Sequence, residues 1–538
     1  MTGGHDIAGH ARTIAVLTAA SRVAGFARTL VFAGTVGATA VGSIYQSANT
    51  VPNVVYEVAA GGVLAAATVP LIAARVASGD RREASAVASA LLTWAAVVLI
   101  PLAVLILVLA RPIARGLLDP ATLGSDAVDR GTLMLAVFAP QIVLYGAGIV
   151  LTGVLQAHRR FAAAAAAPLV SSLVVIGTYA AYGVLVDDPA RPPAGALRVL
   201  AWGTTGGVVA LVGTLLPSLR GLGLTLRPGL RFPPGVARRA VHLAGAGIVA
   251  LVAQQVAVLA VVWLSNHRGG SGVLIAYQYA QALYLLPYAV LAVPIATAAF
   301  PVLAASASGG PGGEAARGVL AGSLRSILVL TTAGAAALVA AAPDLGGFFA
   351  GLDRGGASGR AGAVGALPAA LTSLAPGLIG FGAAALLTRA IYARGPARRA
   401  AVAVAGGWLV AAVVPVLATH GHTEVRRTLV AIGVASSLGM TGAALILAGL
   451  VRRAWGAAAL AGTARTLLLA TGPALVTVLL LRWGLVRLWP VSTGGLVAHV
   501  VRGLVVGITA ALVVLGVCAT EVPGSPGLPR RRGLGSRA

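Results

Sequence analysis

At 538 residues, 58% hydrophobic and 10% charged, with a mean hydropathy of +0.92, the chain carries more apolar side chain than a water-soluble core of this length uses. It reads as a polytopic membrane protein. The formal net charge of +25 is all arginine over acid, since the sequence has no lysine; no basic, aromatic-interleaved domain stands outside the apolar segments, which excludes a nucleic-acid partner.

In chain order, apolar stretches long enough to span a bilayer, about 20 residues each, fall at 13–36, 40–74, 84–111, 131–157, 163–184, 197–219, 237–264, 272–303, 318–343, 366–393, 398–418, 428–451, 460–481 and 495–519. The expectation is an all-α protein of about fourteen transmembrane helices. The first two spans hold Arg22, Arg28 and Glu57 in otherwise apolar sequence. A charge near the bilayer centre costs several kcal/mol, roughly 2.5 to 3.5 on insertion scales, so such residues normally face a protein interior or a watery path. Six residues apart on a regular helix, Arg22 and Arg28 point about 120° apart. They share one cavity only if it is wide or if Gly25 bends the helix; otherwise Arg22 snorkels toward the interface or pairs with a carbonyl. Glu57 is the one acid in these spans. It serves either as a neutralising partner for an arginine or as a gate that opens when an anion competes for that arginine. Asn53 follows Pro52 at an expected helix break, where its amide can bond freed backbone or cargo.

The connections carry a sided charge. Arg75/Arg81/Arg82, Arg159/Arg160, Arg238/Arg239, Arg398/Arg399 and Arg452/Arg453 fall at alternate loops, the positive-inside pattern, which places the N-terminus in the cytoplasm. An even number of spans then returns the C-terminus to the same side. Residues 521–538, Pro/Gly-rich and basic, read as a short disordered cytoplasmic tail. Cys518 is the only cysteine, in the last span, and a small apolar role suits it.

Catalytic patterns are missing. The eight histidines have no Cys or acid partners at metal-ligand spacing, and GxG strings are expected by chance among 71 glycines. Small-residue runs such as Gly206/Gly207 and Gly377/Gly380/Gly382 suit close helix packing. The reading is a non-enzyme with no cofactor and no metal. One internal echo bears on architecture: TVPNVVYEVAAGGVLAAATVPLIAA (50–74) is like LLPYAVLAVPIATAAFPVLAA (285–305), each bracketed by prolines. A duplication of six-span units explains it, and so does shared composition of two Pro-kinked helices.

Two longer strings are more specific. SRVAGFARTLVFAGTVGA (21–38) resembles the opening signature S-R-x-x-G-F-x-R of the MurJ/MviN lipid II flippase family, and ANTVPNVVYEVAAGGVLAAATVP (48–70) resembles its continuation, in a form most like actinobacterial members. LQAHRRFAAAAAAP (155–168), VLAWGTTGGVVALVGTLLPSLR (199–220), YQYAQALYLLPYAVLAVPIATAAFPVLA (277–304) and LAPGLIGFGAAALLTRAIYARGPAR (374–398) resemble later family segments in order.

The resemblance implies the fold of the multidrug/oligosaccharidyl-lipid/polysaccharide exporter superfamily. Two pseudo-symmetric six-helix lobes, 1–220 and 221–451, would surround a cationic cavity, with 452–520 as two C-terminal helices forming a lipid groove. It implies a bacterial plasma-membrane protein whose cargo is lipid II or a related undecaprenyl-pyrophosphate-linked precursor, among membrane lipids and with cell-wall synthesis or regulatory proteins as possible neighbours. Arg22 and Arg28 match the family's first-span arginines and, with Asn53, are the expected headgroup ligands. Arg325 and Arg389 match family positions near the cytoplasmic side. The chain also departs from the proteobacterial pattern: it has Ser43 for an acid, Tyr56 and Glu57 for arginines, Gly61 for Glu, and Gln281-Ala282 for an Asp-Arg pair. Those departures leave open a paralogous exporter of another polyprenyl-linked glycan or amphipathic solute, or a non-transporting scaffold of cell-wall assembly.

Overall fold

Hydrocarbon offers no hydrogen bonds, so a segment crossing it must satisfy its own backbone, and an Ala/Leu/Val/Gly chain does so as helix. A computed structural model describes residues 3–58, 68–231 apart from Pro70, Ala74, Ala77 and Ala190, then 247–306, 313–355, 362–489 and 495–521. The main helices are α1 (Gly3–Thr35), α2 (Ala40–Tyr56), α3 (Arg81–Val108), α4 (Ala110–Leu117), α5 (Ala127–Phe138), α6 (Gln141–Ala157), α7 (Phe161–Leu185), α8 (Ala194–Leu215) and α9 (Ile248–Leu264). They continue with α10 (Val273–Pro287), α11 (Val293–Ser306), α12 (Gly313–Leu352), α13 (Leu367–Leu374), α14 (Gly377–Ala393), α15 (Ala397–Ala418), α16 (Val425–Trp455), α17 (Thr463–Leu488) and α18 (Leu496–Glu521). No strand occurs among the described residues.

Among them, 12 helices are long and apolar enough to cross a membrane, or 13 if the pair Ala363–Leu374 and Gly377–Ala393, bent by 49°, forms one span. The all-α polytopic reading holds. The second expected span is represented by the 17 residues of α2, and its continuation through 59–67 lies outside the described residues. Boundaries differ where proline intervenes. The expected span 131–157 is two helices that part at Ala139–Pro140, and the span 366–393 breaks before Pro376, because proline supplies no N–H to the preceding turn. The stretch 272–303 contains a π turn, Tyr288–Ala292, directly after Pro287. The expected span 318–343 is the middle of a 40-residue helix.

Close packing divides the chain into two compact units. The first comprises Met1–Ala282, Gly346–Ala370 and Trp408–Ala435. Within it, α7 packs along both α1 and α8, α3 along α6, and α2 along α5. Leu71, Ile72, Val87, Leu91, Val150 and Val154 form one apolar cluster, and Leu151, Leu155, Val212 and Leu215 a neighbouring one.

The second unit comprises Leu283–Leu345, Leu371–Gly407 and Ser436–Ala538. Its core joins Leu303, Leu320, Ile327, Leu387, Leu447 and Trp455. Val329, Ala333, Ala336 and Ala340 of α12 pack with Ala474 and Val478 of α17 and with Val506, Ala510 and the buried Cys518 of α18. Beside this strip, Arg502 Nε lies 3.3 Å and His499 Nδ1 3.5 Å from Asp344 Oδ1, and Arg502 also donates to the Trp489 carbonyl. Ionic groups placed in an apolar strip must be paired, and this set pairs α18 with α12.

The small-residue run expected to permit close packing does so. A Cβ on Gly380 would stand 2.7 Å from the Thr441 backbone, and one on Gly377 2.8 Å from Ser437 Cα. The Gly377 amide donates to Ser437 Oγ at 3.0 Å. Gly380→Val should therefore force α14 from α16 and cost about 1–3 kcal/mol. Heat unfolding of the detergent-purified protein checks it, with Gly442→Ala, where a Cβ meets nothing within 4 Å, leaving the midpoint unchanged.

Candidate functional site

Arg28 lies on α1 one turn before Phe32, and α1 runs unbroken through Gly25. Arg22 and Arg28 both present exposed side chains, about 120° apart on this regular helix. Their surroundings differ. Phe32 packs with Tyr45 (5.8 Å between centroids) and edge-on with Tyr179 (5.2 Å), and Phe138 meets Tyr45 edge-on at 5.8 Å. The Tyr45 hydroxyl bonds Tyr179 at 3.0 Å and Thr204 Oγ1 at 2.9 Å. Arg28 is near enough for its charge to act on the hydroxyls of Tyr45, Tyr145 and Tyr179. Arg28 thus stands on the same helix as Phe32, one turn from a rigid aromatic and hydroxyl cluster.

Tyr145 also meets Tyr56 at 4.8 Å between centroids, the rings tilted by 43°, and the Glu57 carboxylate acts on Tyr56 from the following π turn. Arg28 thus acts on one member of this tyrosine pair and Glu57 on the other. Among the described residues no ion pair joins Glu57 to Arg22 or Arg28. Asn53 donates from Nδ2 to the Asn49 carbonyl at 2.8 Å, one turn back beside Pro52. The break expected at Pro52 does not occur: α2 runs through it, because a helix can lose one N–H and keep its course, and the Asn53 amide bonds its own helix. Arg325 and Arg389 belong to the second unit. Arg389 Nη1 donates to the carbonyl of Ala385 on its own helix at 2.7 Å, and its charge reaches Tyr288. Arg325 lies along Gly462, with Nη1 3.4 Å from where a Cβ there would stand.

The departures from the family pattern acquire physical content. Ser43 is fully buried and its Oγ accepts the Gly272 amide at 3.0 Å. One turn on, Ser47 Oγ accepts from Asn266 Nδ2 at 2.8 Å, and Asn266 also donates to the Leu117 carbonyl at 2.9 Å. A neutral hydroxyl bonds the backbone where an acid would carry charge. Tyr56 gives a stacking surface in place of a cation. Gln281 and Ala282 are half-buried on α10, and Gly61 lies outside the described residues.

Sequence reasoning missed the buried Asp353. It accepts from the Ala38 amide at 2.9 and 3.0 Å, from the Gly355 amide at 2.9 Å and from the Tyr279 hydroxyl at 2.9 Å. Burial pushes its carboxyl above the usual range, and the Ala38, Tyr279 and Gly355 donors pull it part of the way back. Arg354 beside it donates to the carbonyls of Gly183 and Val186, and its amide to Ala33. Residues remote in sequence therefore close on the α1–α2 connection.

The sequence pattern of the family described as lipid II flippase MurJ matches residues 32–503. The chain belongs to that family. Similar proteins include a probable lipid II flippase MurJ of Rhizobium tropici, 29% identical over 343 residues that cover 62% of this chain and 61% of the relative. The lipid II flippase MurJ of Burkholderia cenocepacia is 27% identical over 299 residues, 54% of this chain and 56% of its own. The chain thus spans about three-fifths of the length of these curated relatives. Among solved structures, a lipid II flippase MurJ in an inward closed conformation aligns with TM-score 0.72 at 15% identity, over 94% of this chain and 99% of that one. An inward-facing multidrug resistance MATE transporter of the MOP superfamily aligns with TM-score 0.65 at 16% identity, over 80% and 94%. At such identities these two matches establish the fold. The chain is a multi-pass protein of the bacterial inner membrane in a family of transporters rather than enzymes.

Asp353→Ala leaves two amides and a hydroxyl without their acceptor and should cost about 1–3 kcal/mol. Tyr279→Phe, which removes a single donor, should cost about 1 kcal/mol. Melting midpoints of the two purified variants, in that order below the parent, are the check.

Proposed function

We propose that the protein carries lipid II, or a closely related undecaprenyl-pyrophosphate-linked precursor, from the inner to the outer leaflet. The observation that carries this reading is the family match over 32–503. A pyrophosphate and peptide carboxylates cannot enter hydrocarbon unpaired, and an arginine can fork two hydrogen bonds onto phosphate oxygens. Arg28, backed by Tyr45, Tyr145 and Tyr179, holds the headgroup in this reading; Arg22 and Asn53 assist. Glu57 gates, exchanging its position beside Tyr56 for a charge partner as the anion arrives and leaves. Arg325 and Arg389 meet cargo at the cytoplasmic side.

Access alternates through a cationic cavity between lobes 1–220 and 221–451, with 452–520 as a lipid-binding groove, 521–538 as a tail, and both termini cytoplasmic by their arginine-rich loops. An inside-negative potential favours outward movement of the anionic headgroup by about 2.3 kcal/mol per charge per 100 mV. A different polyprenyl-linked cargo is favoured by one observation, the neutral Ser43 bonded to Gly272 where relatives of the proteobacterial type carry an acid.

The test is rescue in bacterial cells depleted of their own flippase. The protein should restore lipid II exposure on the outer face, Arg28→Ala at equal membrane level should abolish it, and Arg28→Lys, which keeps charge but loses the fork, should restore it in part. No restoration by the parent chain would transfer the assignment to another polyprenyl-linked cargo. Collapsing the membrane potential at constant pH should slow transport in vesicles, and an unchanged rate removes the coupling.

A further inference from the structure

The connection after α8 does not hang free. Residues 221–231 run extended along α3, and their alternate amides meet hydroxyls spaced one turn apart on that helix. The Thr225 amide donates to Ser85 Oγ at 3.3 Å, that of Arg227 to Ser89 Oγ at 3.1 Å, and that of Gly229 to Thr93 Oγ1 at 3.0 Å. Trp94 Nε1 closes the run on the Leu230 carbonyl at 2.9 Å. The match is one of pitch: four residues of helix rise about 6.0 Å, and two residues of extended chain about 6.6 Å.

This fastening fixes what the segment displays. Leu222 and Leu224 turn into the apolar cluster of α3 and α6, whereas Leu226, Leu230 and Trp94 are 40%, 56% and 41% exposed. Arg227 and Arg231 are exposed among them. The segment begins beside the first residues of α3 and α7 and the end of α8, at Arg81, Phe161 and Leu219, and α3, at 28 residues, is longer than the about 20 a bilayer needs, so its first turns reach beyond the hydrocarbon. Arg160 braces that corner by donating to the carbonyls of Ser218 and Arg220 at 2.8 and 2.9 Å. Extended backbone beside lipid needs its N–H groups satisfied, and the hydroxyls do this for Thr225, Arg227 and Gly229.

Apolar side chains alternating with arginines, held rigid along the first turns of α3, suit a surface where acyl chains meet anionic phosphates. We infer that the strap 221–231, fastened on the Ser85/Ser89/Thr93 ladder, is an interfacial site for anionic phospholipid headgroups, with Leu226, Leu230 and Trp94 in the acyl region and Arg227 and Arg231 on phosphate. The site is separate from the cargo ligands on α1 and α2, and its test does not depend on which cargo the protein moves.

Purified full-length protein is titrated with phosphatidylglycerol or phosphatidylcholine and the bound lipid counted by native mass spectrometry at fixed ionic strength. The parent should prefer phosphatidylglycerol. Arg227→Gln/Arg231→Gln should lose that preference by about tenfold, while Arg398→Gln/Arg399→Gln, an exposed pair in the first turn of α15, should retain it. No preference in the parent, an unchanged preference in the 227/231 variant, or an equal loss in both variants would each overturn the assignment. All three proteins are first shown to be monodisperse, and the substituted side chains are exposed, so folding does not stand between the variant and the result.

Discussion

Inside a membrane no donor, acceptor or charge can be left to water, and that constraint shapes every part of this molecule. It turns the apolar sequence into helices, and then governs each place where a helix is interrupted or a polar side chain enters. The Asn53 amide bonds the Asn49 carbonyl beside Pro52, Ser43 receives the Gly272 amide, and Asp344 pairs with Arg502, with His499 3.5 Å from the same oxygen, where α12 meets α18. The extended strap beyond α8 survives because three hydroxyls of α3 receive its amides. Polar residues outside the cargo site mostly serve backbone, which is why so few remain to define that site.

Against that background Arg28 stands out. Its charge acts on the phenol groups of Tyr45, Tyr145 and Tyr179, its side chain is exposed, and no carboxylate pairs with it among the described residues. A cation held this way retains its attraction for an incoming phosphate, because no internal ion pair must first be broken. Glu57 acts on Tyr56, which meets Tyr145 at 4.8 Å, and forms no ion pair with Arg28 among the described residues. In the proposed function, charge selection falls to Arg28 and charge release to Glu57.

Much of the architecture was legible because hydropathy is a local property and the order of spans follows from composition over windows of about 20 residues, whereas the breaks at Pro140 and Pro376 lie inside segments of unbroken hydropathy, which read as continuous spans. The arginines were legible for the same reason, as charges in apolar sequence. Their setting was not. Tyr45 and Tyr179 meet across 134 residues, and Asp353 reaches Ala38 across 315, so no spacing within either segment announces the contact. Ser43 looked like a missing charge; only the approach of Gly272 gives its hydroxyl a task. The ladder Ser85/Ser89/Thr93 has visible helical spacing, but its partner lies some 140 residues on and carries no matching pattern, since any non-proline amide can fill the donor role.

The central claim is that Arg28, beside the tyrosine cluster, receives the pyrophosphate of the cargo. Native mass spectrometry of the purified protein with lipid II tests it most directly, comparing the parent with Arg28→Ala and adding inorganic pyrophosphate as competitor. The account predicts a bound lipid II that pyrophosphate displaces and that the variant loses. Equal lipid II retention by parent and variant, insensitive to pyrophosphate, would contradict it.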